Sequence, residues 1–321
     1  IFDQSKGKAK VKPIYEALKI RAITAGDLKS NGVYSRLQKV LWGTLQKHKQ
    51  FSLTGRPVSY LDIENINIRS ESAFDEYVSA DYSAATDNLN RDASLECIRA
   101  LSGDPITYSV LKKGLMDTTL DFSACGIEGI ENCEMKNGQL MGCVFSFPIL
   151  CIINLSCYRK SIEEYYGYPV ALEDLVCLIN GDDCLFKSDD RLFSIWEKNI
   201  SSVGFTKSVG KNYVSSDFCI INSQYFRTVD PDRIRKVPYL NMAWITGERK
   251  SGLESLGEAA KDDVWSIKSQ ISKLKEEFLE DSEFKTKPDH FGKEEERRKE
   301  IVGRYINLLT FSRLEAILKR D

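Results

Sequence analysis

Apolar residues recur at helical spacing from about Ser30, at Val33, Leu37, Val40, Leu41 and Leu45, and predict an amphipathic helix there. A partly polar stretch follows to about Ser72, after which Phe74 to Ala80 reads as a short strand running into Asp81. A helix is expected to begin near Asn90. Gly103 and Pro105 punctuate the pattern, residues Thr118 to Met135 predict a hairpin, and Lys136-Asn137-Gly138 is a turn before an apolar helix over Phe145 to Leu155. Leu175 to Ile179 has the character of a buried strand, Asn180-Gly181-Asp182-Asp183 of a turn, and Cys184 to Phe186 of the returning strand, which puts carboxylates at a hairpin tip. Asp190 to Val203 is a further amphipathic helix ended by Gly204, and Phe218 to Phe226 a further strand. From Gly257 the chain is charged and helix-prone, with Asp281 to Glu300 as a hinge or solvent face between two helices. This order predicts an α+β fold in which helices cover one face of a mainly antiparallel sheet.

With 321 residues, 42% of them hydrophobic, the chain can bury a core in one large or two to three smaller units. Its 47 acidic and 45 basic side chains nearly cancel, so any path for a nucleic acid has to be locally basic. Residues 1 to 50 carry nine lysines and two arginines against Asp3, Glu16 and Asp27, which suits either such a path or a solvated surface. Nine cysteines without a C-x-x-C pair, and only two histidines, predict free thiols in a reducing compartment. The most apolar stretch, Cys143 to Cys157, contains Ser146, Pro148 and Asn154 and falls short of the roughly 20 residues that span a bilayer, so no transmembrane segment is expected. A start at Ile1 without a signal peptide suggests a piece of a longer protein.

Phosphoryl transfer needs in-line positioning and neutralised oxygens, which paired Mg²⁺ ions held by carboxylates provide. Asp81 ends one predicted strand and Asp182-Asp183 cap a hairpin, so adjacent strands would gather all three at one sheet edge. Alone, Gly-Asp-Asp is equally an ordinary hairpin turn. Its neighbours add to it: Ser79-Ala80-Asp81-Tyr82-Ser83-Ala84-Ala85-Thr86-Asp87-Asn88-Leu89 upstream, then Gly138-Gln139-Leu140-Met141-Gly142 followed by Ser146-Phe147-Pro148 and Asn154, then Gly181-Asp182-Asp183. In order and content these resemble palm motifs A, B and C of viral RNA-dependent RNA polymerases, above all those of ourmia-like viruses (botourmiaviruses), with narnaviruses, mitoviruses and RNA-phage replicases nearby. Leu18 to Thr24 resembles the basic fingers motif F, Gly204 to Lys211 motif D, and Phe218 to Phe226 motif E.

The resemblance implies a right-hand polymerase: fingers over residues 1–73, a palm over 74–227 with a fingers insertion at about 104–137, and a mostly helical thumb over 228–321. It implies template-directed RNA synthesis from nucleoside triphosphates on template and product RNA, with host replicase partners unspecified, in the host cytoplasm or alternatively the mitochondrion. Two Mg²⁺ ions, or Mn²⁺, would sit on Asp81, Asp182 and Asp183. Lys211 would protonate departing pyrophosphate, with Lys207 as competitor. Lys19 and Arg21, two apart and so on one face of a strand, would clamp the triphosphate. Asp87, Ser146 and Asn154 would surround the ribose, Asn154 being open also to a role in helix packing, and Gly142 would let backbone approach the nucleotide. The rivals are a reverse transcriptase, which would carry an aromatic residue where Asn180-Gly181 stands, and an inactive RNA-binding scaffold, which has no reason to retain clustered carboxylates.

Overall fold

The computed structural model describes residues 7–16, 19–26, 28–126, 129–230 and 233–237. By contacts the chain divides into residues 1–14 with 20–237, and residues 15–19 with 238–321; the fold below concerns the first unit, apart from the ends of two strands. The expected thumb helices, with Trp244, Trp265 and the run Glu294 to Glu300, lie outside the described residues.

The elements in order are β1 (Gly7–Glu16), β2 (Lys19–Gly26), α1 (Leu28–Leu45), a 3-10 turn at Lys49–Thr54, α2 (Tyr60–Arg69), β3 (Glu76–Ala80), α3 (Ala85–Asn88), α4 (Arg91–Leu101), α5 (Pro105–Leu115), β4 (Thr118–Asp121), β5 (Cys133–Glu134), α6 (Ser146–Tyr166), β6 (Cys177–Asn180), β7 (Asp183–Ser188), α7 (Asp190–Ser202), β8 (Tyr213–Ser215), β9 (Phe218–Ile221), β10 (Gln224–Asp230) and β11 (Arg233–Val237). Side-chain caps set several boundaries. Asn90 accepts from the Asp92 amide at the start of α4, Asp104 from Ile106 and Thr107 at α5, and Asp189 from Leu192 at α7.

The central sheet has the order β6-β7-β3-β8, and all its pairings are antiparallel. Alternation along its strands feeds two separate cores. Val78, Ala80, Cys177, Ile179, Cys184 and Phe186 face α6 and α7, packing with Ile149, Ile153, Leu192 and Trp196. Tyr77, Leu178 and Leu185 face the other way, onto Leu53, Ile63 and Ile66 and onto Cys219, Ile221 and Phe226. The expected arrangement had helices on one face only; here α2 and a second sheet, β11-β10-β9, close the opposite face. Because Leu53, Ile63 and Ile66 belong to that core, the expected fingers boundary at residue 73 runs through a packed layer. The boundary at 227 likewise cuts β10.

A third sheet, β2-β1-β4-β5, joins the N-terminal strands to the insertion between β3 and α6, with β1 parallel to β4. The hairpin expected from Thr118 to Met135 is present as β4 and β5. Two expectations are corrected. Along α1 the inward stripe is Tyr34 and Leu45, buried, with Leu37 and Leu41 half-buried between them, whereas Val33 and Val40 are exposed. The strand expected over Phe218 to Phe226 is a hairpin, β9 and β10, turning at Asn222 and Ser223, whose φ values of 50° and 58° suit a two-residue turn.

Candidate active site

The β6-β7 turn carries Gly181, Asp182 and Asp183. In the β3-β7 register Ala80 pairs with Cys184, so the next step along the ladder brings Asp81 level with Asp183. Gly181 has φ +70°, and a Cβ there would lie 2.9 Å from the Phe147 ring, so this position needs glycine on both counts. One face of α6 holds it: its N–H donates to Cys151 Sγ at 3.2 Å, and its carbonyl accepts from Asn154 Nδ2 at 3.0 Å. Asn154 Oδ1 in turn accepts from the Tyr82 hydroxyl at 2.9 Å. A single buried amide thereby ties the residue after Asp81 to the residue before Asp182.

Asp81 is clamped by the segment before β8. Ser208 Oγ donates to Asp81 Oδ1 at 2.6 Å, and Lys211 Nζ lies 3.3 Å from Oδ2. The backbone of Asp81 is read as well: its N–H donates to Asn212 Oδ1 (3.1 Å), while its carbonyl accepts from Asn212 Nδ2 (3.0 Å) and Ser208 N (2.9 Å). Lys207 points elsewhere, paired with Glu197 and 5.1 Å over the Phe193 ring.

The carboxylates are electrostatically coupled. Burial raises Asp182 above the usual carboxylate range, and Asp81 adds to the rise while Lys211 and Arg21 oppose it. Burial pushes Asp183 up to about 7, reinforced by Asp182 and Asp81 and opposed by a hydrogen bond from the Asn222 backbone and by Lys211. Hard oxygen donors that destabilise one another's charge fit a divalent cation. Among the described residues, however, no three His, Cys, Asp or Glu side chains are grouped closely enough to hold a metal ion by themselves.

The remaining expected site residues separate. Asp87 is exposed in the short α3. Ser146 and Asn154 are buried: Ser146 Oγ donates to Gln139 Oε1 at 2.9 Å, and Gln139 donates to Ser94 at 3.0 Å. Both side chains therefore brace the interior, and neither is presented to a ribose here. Gly142 packs against strand β2; its N–H donates to Thr24 Oγ1 at 3.0 Å, and a Cβ would fall 1.5 Å from the Thr24 carbonyl oxygen. Arg21 lies on β2 within electrostatic reach of Asp182; the Lys19 side chain is outside the described residues. Cys151, Asn212 and Asn222 escaped the sequence reading, since nothing in their type or spacing marks a contact to a turn distant in the chain.

No family model matches the chain. A curated relative does: the RNA-dependent RNA polymerase of Ourmia melon virus (isolate Melon/Iran/VE9) is 34% identical over 263 residues, covering 77% of this chain and 30% of that protein. The chain is a homologue of a viral RNA-dependent RNA polymerase. It spans less than a third of that relative's length. The fold agrees with this kinship. An insertion-loop deletion mutant of the RNA-dependent RNA polymerase of a human picorbirnavirus superposes with a TM-score of 0.62 at 14% identity, over 98% of this chain and 65% of the other. The undeleted enzyme gives 0.57 at 13% identity, over 78% and 48%. Apo telomerase from Candida tropicalis, without its C-terminal domain, gives 0.51 at 14% identity, over 74% and 56%. The polymerase homologue thus has the right-hand fold, which telomerase shares, and its kinship to viral polymerases rests on sequence.

Proposed function

We propose that this chain is the palm and part of the fingers of an RNA-directed RNA polymerase, a nucleotidyltransferase that joins the RNA 3′-hydroxyl to the α-phosphate of a nucleoside triphosphate and releases pyrophosphate. The observation that carries the reading is the strand register that brings Asp81 level with Asp183, next to Asp182, at one end of the central sheet, in a chain 34% identical to a viral polymerase. Asp81 and Asp182 would hold divalent cations, two Mg²⁺ or alternatively Mn²⁺, with Asp183 supporting the site. Such ions neutralise charge on the attacking and leaving oxygens. Lys211, reaching Asp81 from an exposed loop, would donate the proton to departing pyrophosphate. Arg21, with Lys19 on the same strand, would offset triphosphate charge, and exposed Asp87 would accept from the 2′-hydroxyl.

Template and product RNA and nucleoside triphosphates are the proposed partners. Among the described residues no helix is long and apolar enough to cross a membrane. The host cytoplasm is the proposed compartment, where the nine free thiols would stay reduced. The test is template-dependent incorporation with and without Mg²⁺: Asp182→Ala is expected to abolish synthesis while RNA binding persists, and near-normal synthesis by this variant would sink the assignment. Preference for deoxyribonucleotides over ribonucleotides would favour the reverse-transcriptase reading instead.

A further inference from the structure

The end of β6 remote from Asp182 opens onto a groove that the catalytic reading does not use. Cys177 precedes Asp182 by five residues, roughly 16 Å of extended chain. One half of the groove is a cavity of about 200 Å³ walled by Lys49, Ser52, Arg56 and Arg69. The adjoining half, about 300 Å³, is walled by Phe74, Tyr158, Tyr166 and Tyr168. Arg69, Leu175 and Val176 line both, so the halves share a wall, and only together do they reach the size of a small-molecule site, roughly 300–1,000 Å³.

The two halves differ in chemistry. Three cationic side chains face one carboxylate in the first, and that carboxylate, Asp62, is already bound to both terminal nitrogens of Arg56 (2.7 and 2.5 Å) and to Ser59. Arg69 spends one donor on the Glu173 carbonyl at 2.5 Å out of the five a guanidinium carries, and neither it nor Lys49 meets a carboxylate among the described residues. Ser52 completes this wall beside Lys49. In the second half Tyr166 and Tyr168 stack with centroids 5.5 Å apart at 22°, and Tyr168 is 58% exposed, which leaves its outer face open. Glu71, hydrogen-bonded to Tyr166, and Asp174 put acceptors beside the rings, on the side of the groove away from Lys49.

We propose that this groove is a second nucleotide site, with the phosphate of a nucleoside phosphate between Lys49 and Arg69 and its base stacked on Tyr168. A plain anion would leave the tyrosines unused, and an apolar ligand would strand the guanidinium. Lys49 and Arg69 neutralise the phosphate directly, so occupancy is independent of divalent metal, unlike that of the catalytic end.

The test is equilibrium binding of methylanthraniloyl-ADP to the whole chain in EDTA. Binding is expected to persist in Asp182→Ala, to weaken about tenfold or more in the Lys49→Ala, Arg69→Gln double variant, and to weaken several-fold in Tyr168→Ala. Lys49 and Tyr168 are exposed, and a thermal melt of each variant is the control that it folds. Irradiation with 8-azido-ADP should label the peptide containing Tyr168. Competition by unlabelled ADP but not by 5′-phosphorylated hexauridylate assigns the site to free nucleotides; the reverse assigns it to RNA ends. Absence of binding in EDTA, binding lost in Asp182→Ala, or binding indifferent to the groove variants overturns the proposal. An inactive polymerase that still binds in this way would refute the catalytic reading alone.

Discussion

Among the described residues, the hydrogen bonds and ion pair to the Asp81 carboxylate come from one short segment, and its chemistry separates two lysines that the sequence left in competition. Lys211 lies against Oδ2, whereas Lys207 is committed to Glu197 and Phe193. Single-nucleotide addition should therefore fall by about 10²–10⁴ in Lys211→Leu, the range of a lost general acid, and change little in Lys207→Leu. Equal defects would refute the assignment. Asp183 gives a pH prediction for the metal-free protein. Its folded-state value of about 7 exceeds the usual carboxylate value of 3.8, so between those limits the folded protein holds a proton that the unfolded chain has released. Stability then falls as pH rises through that window, by at most about 4 kcal/mol shared with its coupled neighbours. Urea unfolding in EDTA across pH should show the fall, and Asp183→Asn should flatten it. The three aspartates were legible as motif members. Ser208 was legible only as part of a motif and Asn212 not at all, because a contact to the backbone of Asp81 leaves no periodic trace.

Among the elements, α6 does most to shape the site, since Phe147, Cys151 and Asn154 lie on the face that meets Gly181. Asn154→Leu would leave the Tyr82 hydroxyl and the Gly181 carbonyl buried without partners. A loss of about 2–5 kcal/mol in chemical denaturation is expected, with a fall in kcat larger than any rise in KM. Unchanged stability would show that the two groups find other partners. The existence of α6 was plain from its apolar run, yet the role of Asn154 was not, because helix packing and ribose contact look alike in sequence. For α1 Leu37, Leu41 and Leu45 fall on the expected face, and Val33 and Val40 do not. Tyr34, not Val33, meets Phe145 at 5.2 Å and sits where a Cβ on Gly114 would touch it at 3.1 Å. Hydropathy ranks valine above tyrosine, but the position of the partner decides which is buried. The β9-β10 turn was missed because Asn222 and Ser223 adopt positive φ without glycine.

For the whole molecule, the central sheet divides two cores, and adjacent residues of β7 test whether they unfold together. Phe186 fills the core under α6 and Leu185 the core under α2. Phe186→Ala should cost about 3–5 kcal/mol and Leu185→Ala about 2–5 kcal/mol, both shifting one common urea transition with an unchanged slope. Two separated transitions would mean that the layers are independent. The ordered motifs made the first core legible. The second was not, because it is assembled from a segment that reads as partly polar, residues 53 to 66, and from a hairpin that reads as a single strand. The sheet between the cores also has short borders: β6 spans four residues and β8 three. Borders of that length offer few unpaired backbone groups to a strand from another copy, so this sheet gives little purchase for edge-to-edge aggregation when the chain is concentrated.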